Sequence, residues 1–389
     1  MDGWMELLAL VPEPPGWSID WSAWKASVFQ PFFAKMAATG QNPGWHGEGD
    51  VWIHTQMVCE ELAAMRSFRA LSKRRRQEVF LAALLHDIGK IVCTKLEDGC
   101  LISPNHTVTG AKMAREFLRN VCGPGSTQDG IEFRETVCSL IRYHSVPVHI
   151  LDQKEPELKI LKIAANGELM KDFTMDLLCI LEEADMRGRI HEDVERSVET
   201  VRLCAGLAEE LGCRKAPFSF PSPYAEHAYL SGRNLALGQD LYDDTWGEVI
   251  LMSGLPGTGK DTWIREHLDG LPTVSLDVFR KEMHVLPQEP QGPVAAAARE
   301  KAKEYLRRQE PFVWNATNVT PALREKQIRL FQAYHASVRI VYLETGWGEQ
   351  LLRNKNRAEA VPEEAIGRMM KNLVLPERYE AERVEWISV

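Results

Sequence analysis

Residues 247–268 read GEVILMSGLPGTGKDTWIREHL, and this stretch decides the fold of the C-terminal third. EVILMS is an unbroken apolar run with the length of a buried strand. GLPGTGK follows at once, and DTWIREHL reads as a helix. Strand, glycine loop and helix in that order form the context in which the motif binds phosphate rather than making a chance glycine turn. Gly254, Gly257 and Gly259, with Thr258 between the last two, let backbone N–H groups face phosphate oxygens. The helix N-terminus adds partial positive charge, and Lys260 is placed to reach the β and γ phosphates. The motif asks for Ser or Thr after the lysine to bind Mg²⁺. Here Asp261 stands there, followed by Thr262. Asp261 is expected to hold the metal directly or through water, or Thr262 to substitute from a shifted position.

Outward from the loop the same texture continues. TVSLD, PFVWNATN and SVRIVYLE are further short strands, separated by the helical stretches GPVAAAAREKAKEYLRRQ and TPALREKQIRLFQAYH. Strands alternating with helices predict a parallel sheet covered on both faces. TVSLD is expected to end in Asp277, a carboxylate beyond a strand end that can accept a proton from an attacking hydroxyl. Arg280, three residues on, can bind a phosphate on the acceptor. Arg353 and Arg357 lie four apart, on one helix face. They read either as a solvated basic face or as lid arginines that stabilise charge on a transferring phosphoryl group.

The N-terminal half has another pattern. From His54 to about Cys213, six stretches carry apolar residues at helical spacing, HTQMVCEELAAM and RRQEVFLAALLHD among them, and strand alternation is lacking. The expectation is a multidomain chain: an irregular lead-in over 1–50, an all-α domain over 51–215, a linker over 216–247 and an α/β domain over 248–389. The helical domain concentrates His54, the adjacent pair His86–Asp87, and Asp185, with His106 and His144 between. Imidazole and carboxylate suit divalent metals such as Mn²⁺, Fe²⁺, Ni²⁺, Zn²⁺ or Mg²⁺. Adjacent His and Asp at a helix end can both reach one ion, and a mixed shell with open positions lets that ion bind phosphate and acidify water. A lone histidine on a helix is more often an ordinary core or surface residue, and His46, His149 and His191 are read that way.

LAALLHDIGK resembles the signature of the HD phosphohydrolase superfamily, whose H…HD…D pattern maps onto His54, His86, Asp87 and Asp185. The resemblance implies a divalent transition metal (Mn²⁺, Ni²⁺, Co²⁺, Zn²⁺ or Fe²⁺). It also implies a second ion involving His106 and His144, and a phosphate contact from Lys90. Arg187 or Arg189 is a weaker candidate for assisting. The P-loop, D-x-x-R at Asp277–Arg280 and the two arginines resemble the polynucleotide 5′-hydroxyl kinase family. By that likeness Asp277 is the general base, Arg280 binds the acceptor's 3′-phosphate, and Arg353 and Arg357 form the lid. WNATN (314–318) is similar to a further element of that family.

Together the two halves resemble the bacterial HD-domain/polynucleotide-kinase fusion family, over roughly residues 50–370. That resemblance implies a bifunctional RNA end-healing enzyme. Its HD domain would remove a 2′,3′-cyclic phosphate or 2′(3′)-phosphate, and its P-loop domain would phosphorylate 5′-OH ends with ATP or another NTP and Mg²⁺. The partners implied are RNA or DNA strand ends and a ligase acting in the same pathway. Two other readings share most motifs: an HD nucleotidase fused to a small-molecule kinase, and an NTP-sensing regulatory module.

The rest of the composition sets bounds. A net charge of -9 over 389 residues argues against a broad basic nucleic-acid coat. From Val249 on, acidic and basic residues nearly balance, so the deficit lies in the helical part and any nucleic-acid contact is expected to be local. All eight cysteines lie at or before Cys213 and none forms a C-x-x-C pair, which suits reduced thiols and a cytoplasmic location. No apolar run reaches membrane-spanning length, and residues 1–17 lack the pattern of a signal peptide. Most of the eleven tryptophans are expected in packing, with exposed ones free to stack on bases.

Overall fold

The computed structural model describes residues 2–286, 289–357 and 359–389. It divides into two compact units. One comprises the chain up to Gly125 with Asp129–Phe218, and the other comprises Ser126–Gln128 with Ser219–Val389.

The first unit is helical. Its site-bearing helices are Val51–Ala64, Lys73–Leu85, His106–Asn120, Gln128–Tyr143 and Met175–Arg187. Three start on a side-chain cap: Asp50 accepts from the Ile53 N–H, Ser72 from Arg75 and Thr174 from Leu177. The Lys73–Leu85 helix is buried on every side from Gln77 to Leu85, which is why its apolar residues run on without a polar stripe. Each of the six expected helical stretches is helical, and Pro156–Ala165 adds another. The unit is not purely α. Lys95–Glu97 (β1) and Cys100–Ile102 (β2) pair antiparallel around Asp98–Gly99, both at positive φ.

Residues 1–50 are not an irregular lead-in. They contain helices Asp2–Leu8, Trp21–Ala26 and Gln30–Ala37, and their aromatics complete the core. Trp4 meets Phe133 edge-on at 5.4 Å, Trp24 lies 5.8 Å from Phe80, and Phe33 stacks on Trp52 at 4.2 Å. Such short helices carry too few residues for a clear period. They are held by aromatic burial from distant parts of the chain.

The second unit is built on five parallel strands: Glu248–Ser253 (β3), Thr273–Ser275 (β4), Val313–Asn315 (β5), Ser337–Glu344 (β6) and Arg383–Ser388 (β7), in the order β4-β5-β3-β6-β7. β3 lies between β5 and β6, where the strand order reverses. In such sheets ligands bind outside the carboxyl ends of the strands at that point. The expected linker is part of this unit from Ser219 on. Its helix Pro223–Leu230 is anchored by an ion pair from Glu226 to Arg378 and by a hydrogen bond from His227 Nδ1 to the Tyr379 carbonyl. Arg324, fully buried, donates to Glu380 through Nε and Nη2 and to the Asn318 and Val374 carbonyls through Nη1. It thereby joins the β5 loop to the C-terminal segment.

Gly89 sets the approach of the His106–Asn120 helix in the first unit. A Cβ at Gly89 would fall on the His106 carbonyl oxygen and lie 2.7 Å from the Gly110 nitrogen. Gly89→Ala should therefore destabilise the first unit by about 1–3 kcal/mol through overpacking. It should also move His106 off Asp87. Chemical denaturation checks the first effect; an unchanged midpoint would contradict the close contact.

Candidate metal and phosphate-binding sites

In the first unit the buried residues His54, His86, Asp87 and Asp185 converge. His54 Nε2 lies 3.0 Å from Asp185 Oδ1, 3.3 Å from His86 Nε2 and 3.7 Å from Asp87 Oδ2, and His86 Nε2 lies 3.3 Å from Asp87 Oδ2. His106 and His144 adjoin the same cluster. His106 Nε2 is 3.4 Å from Asp87 Oδ1, and the His144 ring is 5.1 Å from that of His86.

One pattern recurs at all four imidazoles. Nδ1 of His86 faces the Ala83 carbonyl at 2.7 Å, that of His144 the Ile141 carbonyl at 2.8 Å and that of His106 the Ser103 carbonyl at 2.9 Å. Nδ1 of His54 faces Glu48 at 3.0 Å and the Gly188 carbonyl at 3.2 Å. An acceptor on Nδ1 puts the proton there and leaves Nε2 as a lone pair directed into the cluster. Both oxygens of Asp87 are buried without a well-formed hydrogen bond. Imidazole nitrogens and anionic oxygens so arranged fit a divalent transition metal. Ligand atoms lie within 4.8 Å of one another in three overlapping groups, His54–His86–Asp87, His86–His144–Asp185 and Asp87–His106–His144, so the six residues could hold one ion or two.

At Asp87, Asp185, His106 and His144 the electrostatics agree with that fit, while at His54 they favour a proton that a metal would displace. Burial alone would raise Asp87 and Asp185, but Lys90 and Arg189 respectively lead the charges that hold both well below the usual carboxylate range. Burial pulls His54 down, but Asp185 and Glu48 outweigh it and leave it more basic than usual. Burial depresses His144 to about 3 and lowers His106, keeping both neutral as ligands must be. Lys90 Nζ sits 2.7 Å from Asp87 Oδ2 and 2.7 Å from Gln41 Oε1. Arg189 grips Asp185 with Nε and Nη2 at 3.1 and 2.6 Å. Arg187 pairs with Glu183 instead.

Sequence reasoning missed Gln41, His46 and Glu48. His46 was read as ordinary, yet its Nδ1 is 2.8 Å from Glu48 and its Nε2 3.4 Å from Lys90 Nζ. The only signal available was the density of polar residues just ahead of His54.

In the second unit the loop after β3 has Gly254, Gly257 and Gly259 at φ +145°, +85° and +89°. A Cβ at Gly257 would also come within 2.6 Å of the Gln350 carbonyl, so this position tolerates only glycine. Lys260 Nζ donates to the carbonyls of Gly254 and Leu255 at 2.8 and 3.0 Å, and Thr258 is buried with its hydroxyl on Leu255. Asp261 accepts from Asn315 Nδ2 at 2.6 Å, and Thr262 is exposed. In WNATN, then, Asn315 holds Asp261, while Asn318 donates to the Met252 carbonyl of β3.

Asp277 is not the last residue of a strand. β4 stops at Ser275, and Asp277 is the second residue of helix Leu276–Glu282. Its carboxylate still borders the phosphate loop, with Oδ1 2.6 Å from Arg280 Nη1 and Oδ2 3.3 Å from Arg357 Nη2. Burial would raise it, but Arg280, Arg357 and Lys260 hold it below the usual range. Arg280 Nε donates to Gln291 at 2.9 Å. Arg353 belongs to helix Trp347–Lys355, and its guanidinium borders Gly259. Arg357 lies past that helix's end, not on a shared face as expected. The chain turns after Lys355 and brings it to Asp277.

A family model described as HD domain matches residues 50–166, and one described as AAA domain matches residues 249–376. Among curated proteins, a multifunctional CCA protein of Vibrio cholerae serotype O1 (strain ATCC 39541 / Classical Ogawa 395 / O395) is 26% identical over 167 residues. Those of Vibrio parahaemolyticus serotype O3:K6 and Hahella chejuensis are 29% identical over 171 residues and 26% over 167. Each match covers 42% of this chain and 36% of the relative, so the chain spans little more than a third of the length of these proteins. A solved structure of a candidate kinase from Chloroflexus aurantiacus j-10-fl aligns with 37% of this chain and 86% of its own at 16% identity. Its TM-score of 0.32 is too low to carry an argument. The chain therefore carries an HD domain followed by a P-loop kinase-like domain with a five-strand parallel sheet.

Burial lowers Lys260 to about 8. A bound triphosphate favours the ammonium and raises that value. Nucleotide binding should be strongest below pH 8 and weaken by roughly tenfold per pH unit once the free lysine is neutral. Calorimetric titration with ATP between pH 7 and 9.5 checks the slope; a flat profile would remove Lys260 from phosphate binding.

Proposed function

We propose that the chain heals broken nucleic-acid strands at both ends. Its HD site removes a 2′,3′-cyclic phosphate or a 2′(3′)-phosphate, and its P-loop site phosphorylates the 5′-OH. The observation that carries this reading is the Asp277–Arg280 pair beside Lys260, a proton acceptor and an anion binder one helical turn apart at the mouth of a phosphate loop. A nucleotide sensor has no use for such a pair. A small-molecule kinase needs the carboxylate but not an arginine for a second phosphate.

In the kinase step the 5′ oxygen attacks the γ phosphorus and its proton passes to Asp277 Oδ2 or Oδ1. The bond from the γ phosphorus to the bridging oxygen breaks, and the nucleoside diphosphate leaves with that electron pair. Lys260 exchanges its two carbonyl partners for the β and γ oxygens, and Arg353 and Arg357 meet the charge that develops on the transferring group. Arg280 holds the 3′-phosphate of the acceptor's first nucleotide. Asp261, its carboxylate oriented by Asn315, would hold Mg²⁺, which would supply charge neutralisation at the phosphates.

At the HD site, His54, His86, Asp87 and Asp185 would hold one divalent ion, and His106 and His144 would share in a second. Such ions supply a Lewis acid and an acidified water. Lys90, fixed between Asp87, Gln41 and His46, steadies a non-bridging phosphate oxygen. Trp45 is 57% exposed, one residue from His46, and offers a ring on which a terminal base can stack. The products, 3′-OH and 5′-phosphate, are what a strand-joining ligase consumes, and the reading places the reactions in the cytoplasm.

The test is an RNA bearing 5′-OH and 2′,3′-cyclic phosphate ends, incubated with ATP and a panel of divalent metals, with both ends assayed. Both ends should change. Asp87→Ala should abolish only the 3′ reaction and Lys260→Ala only the 5′ reaction. Arg280→Ala should depress phosphorylation of a 3′-phosphorylated acceptor more than that of a free nucleoside. No change at either end rejects end healing, and equal loss on both acceptors favours a small-molecule kinase.

A further inference from the structure

Glu48 lies in the irregular stretch between helices Gln30–Ala37 and Val51–Ala64. Its side chain is fully buried and faces three N–H groups, one of which, that of His54, also meets the Gly188 carbonyl at 3.2 Å. Oε1 faces His46 Nδ1 at 2.8 Å and His54 Nδ1 at 3.0 Å, and Oε2 faces the Ile190 N–H at 2.9 Å. These donors, each within ordinary hydrogen-bond length, hold the carboxylate far below its usual range despite burial. The stretch is closed from the other side as well. The Gly47 N–H donates to the Ile190 carbonyl at 2.9 Å, and Gln41 and His46 border Lys90. Ile190 follows Arg189, which grips Asp185. One carboxylate therefore ties together a candidate ligand histidine, a wall histidine and the segment that fixes a candidate ligand aspartate.

We propose that Glu48 is a positioning residue of the HD centre: with the Gly188 carbonyl, which accepts from His54 Nδ1 at 3.2 Å, its carboxylate 3.0 Å away keeps the proton on that nitrogen and so favours the tautomer whose Nε2 faces Asp185, His86 and Asp87. The proposal rests on the metal-centre reading above. His46, Glu48 and His54 could themselves be taken for a separate cation site. Oε1 already accepts both imidazole N–H groups, so the three satisfy one another, and a cation there would take the Nδ1 that His54 needs for its proton.

Substitution by the isosteric amide isolates the effect. In Glu48→Gln one of the two acceptor positions becomes an NH₂ donor. Turned toward His54, that NH₂ leaves the Gly188 carbonyl as the remaining acceptor for Nδ1 and removes the negative charge beside it, which weakens the preference for the tautomer with Nε2 free. A ligand's outer partner of this kind is worth about ten- to a hundredfold in metal affinity. Mn²⁺ affinity would be measured on the full chain by electron paramagnetic resonance for wild type, Glu48→Gln, Glu48→Asp, His46→Gln and His86→Ala. Melting of each metal-free protein would be followed alongside. Glu48→Gln should weaken binding by about ten- to a hundredfold without a matching fall in melting temperature. Glu48→Asp, which keeps the charge but withdraws it by one methylene, should fall between, and covers the case in which the amide fails to fold. His46→Gln, which keeps a donor for Glu48, should weaken binding less than Glu48→Gln does. If His86→Ala binds like wild type, the metal-centre reading fails. If His86→Ala weakens binding and neither Glu48 variant does, or if affinity falls only in step with melting temperature, the positioning role fails alone.

Discussion

Two buried carboxylates, Asp87 and Asp185, are the constraint on which the helical unit depends. An ionised carboxylate is costly to bury unless charges and donors surround it. Here Lys90 lies 2.7 Å from one and Arg189 grips the other through two nitrogens, while four imidazoles aim Nε2 at the same volume. The nearby Glu182, buried without a hydrogen bond, is instead pushed well up by burial and by the Asp185 charge. Glu182 and Asp185, one turn apart on the same helix, are thus shifted in opposite directions. That division concentrates negative charge on the two aspartates that converge with the histidines, rather than spreading it through the core.

The phosphate loop obeys a constraint of space. The Trp347–Lys355 helix lies on the loop so closely that Gly257 admits no Cβ and Gln350 donates to the Pro256 carbonyl at 3.0 Å. The same helix carries Arg353 to Gly259, and the turn after it brings Arg357 to Asp277. The two arginines are therefore presented by the element whose close packing shapes the loop. Asp277 starts its helix within reach of both Arg280 and Arg357. The catalytic geometry of this half is set by helix packing at the carboxyl edge of the sheet.

Much of this was legible in the sequence because it depends on local period or on a contiguous motif. The long amphipathic helices, β3, the glycine loop and the HD pair each announce themselves within a dozen residues. What escaped is held by contacts distant in sequence. Trp24 against Phe80, Glu48 against Ile190 and Asn315 against Asp261 have no period to betray them. The misplacements have a similar cause. Asp277 reads as a strand end because TVSLD is apolar, yet β5 pairs only with Thr273–Ser275 and the chain turns helical once pairing stops. Arg353 and Arg357 share a helical face only if the helix runs through Asn356, and it ends at Lys355. β7 was not among the expected strands, since RVEWIS is short and is held by the β6 edge it completes, some forty residues earlier in the chain.

The lysines of the two sites show how one residue type is set to different tasks. Lys90 is held by a carboxylate, an amide oxygen and an imidazole, three partners that belong to the wall of its own site. Its charge is committed whether or not a phosphate arrives, so it helps keep Asp87 ionised and can share only its remaining donor capacity. Lys260 rests on two backbone carbonyls, which are neutral. Burial with so little compensating charge is what draws it down to about 8. Triphosphate oxygens are stronger acceptors than carbonyls, so the exchange favours them, and the lysine regains full charge as they bind. A lysine fixed on a carboxylate is committed to that carboxylate, whereas one resting on neutral carbonyls is the easier of the two to draw to an anionic ligand. The same net-acidic chain can therefore hold two phosphate chemistries without a broad basic surface, because each positive charge is aimed at one atom group rather than spread along a strand.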